Sequence, residues 1–204
     1  MTGTITISLE LELAWGQHDK GGSDIYSSDR AAEEQYFERL LETCETHNLP
    51  ITFDTVGHLL LGSCKGTHGG PHSHDWFAAD PGTDAETNPL FDWPELPNLI
   101  KLRSVNHELA THTFSHVLCD EISDETLSWE LERCRELHET HGFDAPETIV
   151  TPRHREVSRH LLRDAGIGGI RTLKRWPKES FIGRYKQRAT FWTLNRGHPA
   201  YEPE

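Results

Sequence analysis

Hydrophobic and polar positions alternate at the start of the chain and recur at helical spacing further along. Residues 4–13 alternate Thr, Ser or Glu with Ile or Leu, which predicts a β-strand. Residues 29–47 carry apolar side chains three and four positions apart, which predicts an amphipathic helix that ends at residues 48–50. A second strand is predicted at residues 51–56, followed by a turn or helix at 57–61.

The rest of the chain continues to alternate strands with helices. Ser123 is the predicted N-cap of a helix that ends before Gly142. Further strands are predicted at 107–111, 148–150 and 169–171, and further helices at 99–102 and 157–165. This alternation indicates an α/β fold with a mostly parallel sheet, in which ligands bind at the C-terminal ends of the strands.

Residues 62–98 show no periodicity and are rich in Gly, Pro, Asp and His. A loop of this length is uncommon inside a compact domain and is usually functional. We therefore expect a single domain over residues 1–204, with 62–98 as a long loop or lid.

Composition and charge exclude several classes of function. The chain has no apolar run near the ~18 residues that a membrane span needs, and its start lacks the pattern of a secretory signal. We therefore expect a cytoplasmic protein without a membrane partner. The net charge of -13 disfavours nucleic acid as a partner, and the four cysteines are interpreted as reduced thiols.

The charge is unevenly distributed along the chain. Residues 151–204 hold twelve Lys or Arg against five Asp or Glu, so this segment could bind a polyanion or pack against the acidic remainder. Only six of the twenty basic residues are Lys. With the acidic excess, this suggests adaptation to a salty cytosol in which counterions screen the self-repulsion.

Two histidines directly follow the strand predicted at 107–111. On a helical turn, the spacing of His112 and His116 would put both imidazoles on one side, within reach of one metal ion. Chance pairs are expected among 14 histidines. A second cluster, consisting of His68, His72 and His74, is interpreted as loop histidines.

Two carboxylates share one face of the first strand. Glu10 and Glu12 are separated by one residue, so if they are buried they need a cation or an arginine as partner. The alternative is the polar face of an edge strand that faces water. Arg153 follows the strand at 148–150 and could clamp a carboxylate there, or be an ordinary surface arginine.

Other catalytic motifs are not supported. His107-Glu108 resembles the start of the HExxH zinc-protease motif, but Thr111 stands where the second histidine is needed. The sequence has no GxSxG, no GxxxxGK[ST], and no GxGxxG between a strand and a helix.

Taken in order, these segments resemble the polysaccharide deacetylases, which are carbohydrate esterase family 4 with its NodB homology domain. The resemblance covers roughly residues 4–172 and rests on the strand 5–16, the segments 40–58 and 107–116, the helix before Gly142, Pro152-Arg153 and the segment 161–167. It implies a distorted (β/α) barrel with a metal-dependent hydrolytic site. The chain is shorter than this family usually is, so an incomplete barrel is expected.

The resemblance also implies roles for individual residues. His112, His116 and Glu12 would bind one divalent metal ion, with zinc as the expected metal. Glu10 would be the catalytic base, paired with Arg153, and His198 would be the general acid. The implied activity removes an N-acetyl or N-formyl group from a sugar or glycan precursor.

Two alternative functions remain open at this point. A glutamate replaces the family's usual aspartate at the base position, so the chain could be an inactive relative that acts as a carbohydrate-binding or interaction protein. The third hypothesis is a structural zinc protein using Cys64, His68, His72 and His74, against which the absence of paired cysteines counts. The sequence does not determine an oligomeric state.

Overall fold

The computed structural model describes residues 6–20, 25–82 and 88–172. All of these belong to one compact unit, Met1–Thr172. A second unit, Leu173–Glu204, lies outside the described residues. Among the described residues, no helix combines the length and the apolar character needed to cross a membrane.

Five parallel strands form one sheet and lie side by side in chain order. They are β1 Ser8–Leu11, β2 Thr52–Thr55, β3 Glu108–Thr111, β4 Thr148–Val150 and β5 Gly169–Arg171. Consecutive parallel strands in this order are the arrangement of a (β/α) barrel, whereas a doubly wound sheet reverses its strand order. The predicted α/β fold with a parallel sheet is confirmed.

A contact between the two edge strands of the described sheet shows that the sheet is curled. Arg171 of β5 donates from Nη1 to the Oγ atom of Ser8 in β1 at 2.5 Å. In a flat sheet, strands four positions apart would be separated by about 19 Å, well beyond the reach of one arginine side chain. The five described strands therefore form the incomplete (β/α) barrel that was expected.

Four helices accompany the sheet among the described residues. They are α1 Ala31–His47, α2 Leu96–Lys101, α3 Asp124–Thr140 and α4 Arg159–Asp164. Helix α3 begins as predicted, because the Oγ atom of Ser123 accepts a hydrogen bond from the Thr126 N–H group at 3.1 Å. Helix α2 begins before the predicted start at residue 99, since Pro97 fits its first turn. A 3₁₀ turn at Gly57–Leu60 follows β2, where a turn or helix was predicted.

The main core lies between the sheet and the helices. Phe37 and Leu41 of α1 are buried against Phe53 of β2. Phe91 and Trp93, which belong to the end of the long loop segment, are buried in the same core. The N–H group of Trp93 donates to the carbonyl of Leu59 at 2.7 Å, so this part of the loop is fixed to the turn after β2.

Candidate metal centre

The C-terminal ends of the strands bring three of the predicted site residues together. Glu12 follows β1, and His112 and His116 follow β3. The Oε2 atom of Glu12 lies 2.9 Å from Nε2 of His116 and 3.5 Å from Nε2 of His112. Both histidines are buried, and the three ligand atoms lie within 4.8 Å of one another. Two imidazole nitrogens and one carboxylate oxygen form a donor set that zinc uses in catalytic sites.

The orientation of His112 indicates that this group of residues fits a cation. Its Nδ1 atom lies 2.7 Å from the carbonyl oxygen of Val150, and a carbonyl can only accept, so Nδ1 carries the proton. In the neutral form of the ring, the Nε2 atom then presents a lone pair toward Glu12. This buried nitrogen has no hydrogen-bond partner among the described residues. A divalent cation between the ring and the carboxylate would satisfy both groups.

The electrostatics of the site favour the protonation states that bind metal. Burial alone would raise the pKa of Glu12, but the contacts with His112 and His116 outweigh it and hold the pKa well below its usual range. Burial lowers the pKa of His116, although the adjacent Glu12 opposes this shift. The carboxylate is therefore ionised and the imidazole neutral near pH 7, as metal ligation requires.

The segment that carries the two histidines is an irregular loop. Thr113 and His116 have φ angles of 64° and 60°, in the left-handed region, so the two histidines converge without the helical turn on which their spacing was considered. The loop is held by the turn after β2, whose Gly57 and His58 N–H groups donate to the carbonyls of Thr113 and Phe114, each at 2.9 Å. These backbone contacts, rather than helical geometry, make the two imidazoles converge.

Glu130 of α3 holds the same loop from another side. Its fully buried carboxylate accepts hydrogen bonds from the Ser115 N–H at 2.8 Å and the Ser115 hydroxyl at 2.6 Å. The Nε2 atom of His72 lies 2.6 Å from the same carboxylate. Sequence analysis missed Glu130, although its position between Leu127 and Leu131 on the apolar face of α3 was a usable signal.

Glu10 lies next to the three candidate ligands, with its Oε2 atom 4.0 Å from Nε2 of His112. Its ionic partner is Arg171, whereas Arg153 pairs with Asp19 at 2.5 Å. The predicted ion pair between Arg153 and Glu10 is therefore wrong. The physical reason is the curl of the sheet, which brings β5 against β1 and places the Arg171 guanidinium beside Glu10.

Glu10 in β1 and Glu12 directly after it do not lie on a water-facing edge strand, which was the alternative interpretation of this segment. The side chains of Glu10 and Glu12 are 30% and 27% exposed, respectively. Both carboxylates have charged or imidazole partners on other strands or loops. Both side chains line the inside of the curled sheet at the candidate site.

Two further groups lie near Glu10 and were not predicted from the sequence. The Nε2 atom of His154 is 3.8 Å from Oε1 of Glu10. Asp54 is the register partner of Glu10 on β2, and burial raises its pKa to about 6. The predicted general acid, His198, lies outside the described residues.

The four residues of the third sequence hypothesis do not meet at one point. Cys64 and His68 both contact Asp80. His72 pairs with Glu130 instead, and His74 is exposed. The third hypothesis, a zinc site made of Cys64, His68, His72 and His74, is therefore wrong as a set, because the histidines of this loop contact different partners.

The chain matches solved structures, and the other two comparisons with known proteins found no match. No protein-family model and no curated protein matches the chain. A CE4 family pseudoenzyme from Bacillus anthracis is 14% identical with a TM-score of 0.49, and the match covers 81% of this chain and 42% of that one. A family 4 carbohydrate esterase from Streptomyces lividans is 12% identical with a TM-score of 0.48, covering 83% and 62%.

The chain also matches the chitin deacetylase from the fungal pathogen Colletotrichum lindemuthianum. It is 12% identical with a TM-score of 0.48, and the match covers 81% of this chain and 54% of that one. The match therefore spans between 42% and 62% of the length of these three structures. Two of the three are described as members of carbohydrate esterase family 4.

Proposed function

We propose that the chain is a metal-dependent hydrolase of the polysaccharide deacetylase type, which removes an N-acetyl or N-formyl group from a sugar or glycan precursor. The observation that supports this most strongly is the convergence of Glu12, His112 and His116, with the Nε2 atom of His112 lacking a partner among the described residues. A divalent ion, zinc by our expectation, would polarise the amide carbonyl and lower the pKa of the attacking water.

In this proposal Glu10 is the catalytic base. Its carboxylate lies beside the candidate ligands without belonging to the closest group, so it is free to take a proton from water. Arg171 is a positioning residue, because it fixes the Glu10 carboxylate through a charge-assisted contact. Arg153 has a separate positioning role, since its pair with Asp19 links the turn after β4 to the turn after β1.

Protonation of the leaving amine requires a general acid. His198 is the candidate that the family resemblance implies. His154 is a second candidate, since its Nε2 atom lies 3.8 Å from Oε1 of Glu10 and its side chain is 21% exposed. Comparing His154→Gln with His198→Gln would assign the role to the residue whose loss removes the basic limb of the pH profile.

A second function is favoured by one observation. The Glu10 carboxylate is engaged by Arg171, so the proposed base already has an ionic partner where it would have to meet the attacking water. On this alternative the chain binds carbohydrate or another partner through the same concave face but does not turn it over. Persistent glycan binding after metal removal, without product release, would support this alternative.

The deciding experiment is an acetate-release assay with the full chain. N-acetylglucosamine oligomers are incubated with the zinc-loaded protein, with the chelated protein, and with the His112→Ala variant. We expect release by the zinc-loaded protein and none in the other two samples, with His74→Ala as a matched active control. An unchanged rate in His112→Ala would refute the hydrolase proposal, and formate release from N-formyl sugars identifies the deformylase case.

A further inference from the structure

A second group of metal-binding side chains lies outside the candidate centre described above. His58 comes from the turn after β2, and Cys64, His68 and Asp80 come from the long loop. One ligand atom from each lies within 4.8 Å of all the others. His58 and Asp80 are buried, and Cys64 is a free thiol. None of these residues takes part in the proposed hydrolysis.

The distances within this group resemble the edges of a tetrahedral metal site. The Oδ2 atom of Asp80 lies 3.1 Å from Nε2 of His58 and 2.7 Å from Nε2 of His68. The two Nε2 atoms are 3.2 Å apart, and the Cys64 sulfur is 3.3 Å from both Asp80 oxygens. Zinc bonds of about 2.0–2.3 Å place tetrahedral ligands roughly 3.3–3.7 Å apart, so small shifts would complete the site.

The outer contacts of His58 match those of a metal-bound histidine. Its Nδ1 atom lies 3.0 Å from the carbonyl oxygen of Phe91 and 3.1 Å from Oδ1 of Asp92. Both neighbours are acceptors, so Nδ1 carries a proton and Nε2 faces Cys64, His68 and Asp80. Burial opposes the charged ring, but the contacts with Asp80 and Asp92 outweigh it and raise the pKa of His58 well above its usual range, so a metal ion would displace the proton on Nε2. A carboxylate or carbonyl behind the imidazole is the usual second contact of a zinc-binding histidine.

Cys64 and Asp80 come together where two backbone segments of the loop pass close to each other at Gly66 and Gly82. Gly66 and Gly82 have φ angles of 67° and 66°, and a Cβ atom on Gly82 would lie 2.5 Å from the Gly66 nitrogen. No other residue type would fit this crossing without displacing the loop. The Gly82 N–H also donates to Oδ1 of Asp80 at 3.0 Å, which orients the carboxylate.

We propose that His58, Cys64, His68 and Asp80 form a second, structural metal site that takes zinc or a similar thiolate-binding transition metal. Four protein ligands leave no open position, which distinguishes a structural site from a catalytic one. The site ties the segment 64–80 to the turn after β2. This inference is independent of the hydrolase proposal, because it uses none of the same residues.

The tied segment contacts the loop that carries His116. The indole N–H of Trp76 donates to the Ser115 hydroxyl at 2.9 Å, and Phe77 packs against Trp15 and Phe114. A metal bound by Cys64 and its partners would therefore stabilise the surroundings of the first centre without contacting substrate. We expect its loss to lower the thermal midpoint of unfolding.

The test combines metal counting with cobalt spectroscopy on the full chain. We expect two zinc ions per wild-type chain, one in Cys64→Ala/His68→Ala, and one in His112→Ala/His116→Ala. Cobalt substitution should give a thiolate-to-metal charge-transfer band, because Cys64 is the one thiol among the proposed ligands of either site. The band should remain in His112→Ala/His116→Ala and disappear in Cys64→Ala/His68→Ala.

Two matched controls separate this site from other thiols and histidines. His74→Ala changes an exposed histidine of the same loop, and Cys44→Ser changes a thiol remote in sequence from the proposed ligands, so both should keep two ions and the cobalt band. If Cys64→Ala/His68→Ala fails to fold, the wild-type cobalt spectrum decides alone. A wild-type protein without a thiolate band, or equal metal content in Cys64→Ala/His68→Ala, would overturn the proposal and leave an ion pair of His58 with Asp80 and Asp92.

Discussion

The Nδ1 atom of His112 lies 2.7 Å from the carbonyl oxygen of Val150, the last residue of β4. This hydrogen bond connects the loop after β3 to the neighbouring strand and turns the Nε2 atom of the same ring toward Glu12. The backbone therefore sets the direction of the candidate ligand atom before any ion binds.

Removing a candidate ligand should abolish metal binding at the first centre without unfolding the protein. We expect His116→Gln to weaken zinc binding there by more than about 10-fold and to stop acetate release. The control is His138→Gln, because His138 is a buried histidine that belongs to neither candidate group of metal ligands, and its Nδ1 atom lies 2.8 Å from the carbonyl oxygen of Cys134. Calorimetric titration with zinc measures both variants, and equal loss of affinity in the two would contradict the assignment.

The two arginines near the site should differ in their effect on turnover. Arg171 contacts Glu10, so Arg171→Gln should misplace the base and lower kcat by about 10²-fold with little change in KM. Arg153 pairs with Asp19, so Arg153→Gln should have the smaller effect on kcat. Steady-state kinetics on the same N-acetylated substrate compare them. A larger loss of kcat in Arg153→Gln would favour the pairing that the family resemblance implied.

Glu130 should be among the most sensitive positions for stability. Its buried carboxylate accepts from the backbone and hydroxyl of Ser115 and contacts His72, so Glu130→Ala would leave buried donors without a partner. We expect a loss of roughly 3 kcal/mol in the free energy of unfolding. Urea denaturation measures it, with the exposed Glu132→Ala of the same helix as the control. A loss as small as that of the control would show that the Ser115 loop does not depend on this contact.

Asp54 should make stability depend on pH. Burial raises its pKa from 3.8 to about 6, against the opposing charge of Arg171, so the folded chain holds a proton that the unfolded chain releases. The free energy of unfolding should therefore fall as the pH rises from about 4 to 6.

The Asp54→Asn variant isolates this effect. Near pH 4 the variant and the wild type should be similar, and above pH 6 the variant should be more stable by about 1–2 kcal/mol, allowing for partial solvent screening. Urea titrations at several pH values, with chelator in both samples, measure the difference. A difference that does not change with pH would contradict the shift at Asp54.

Local sequence patterns were sufficient to predict most helices and strands and two of the candidate metal ligands. Ser123 with the apolar spacing of Leu127, Leu131 and Cys134 predicts α3, because capping and periodicity are encoded within a few residues. The spacing of His112 and His116 marked the two histidines. The spacing did not predict the irregular loop that carries the two histidines. The left-handed conformation of Thr113 and His116 in this loop depends on long-range hydrogen bonds from the N–H groups of Gly57 and His58.

Long-range partners were beyond local sequence patterns. Arg171 and Glu10 are separated by 161 positions, and they meet because the sheet curls. Asp80 is 22 positions from His58 and is part of no recognisable sequence motif. The group of His58, Cys64, His68 and Asp80 can therefore be identified in the folded structure but not from the sequence. Glu130 could have been noticed, because a charged residue on an apolar helix face needs a buried partner.

The measurement that tests the central claim most directly is an anomalous-difference map at the zinc edge from crystals of the zinc-loaded full chain. We expect a peak about 2.0–2.2 Å from Oε2 of Glu12 and from the Nε2 atoms of His112 and His116. A map without a peak between these three residues would contradict the metal centre and, with it, the proposed hydrolysis.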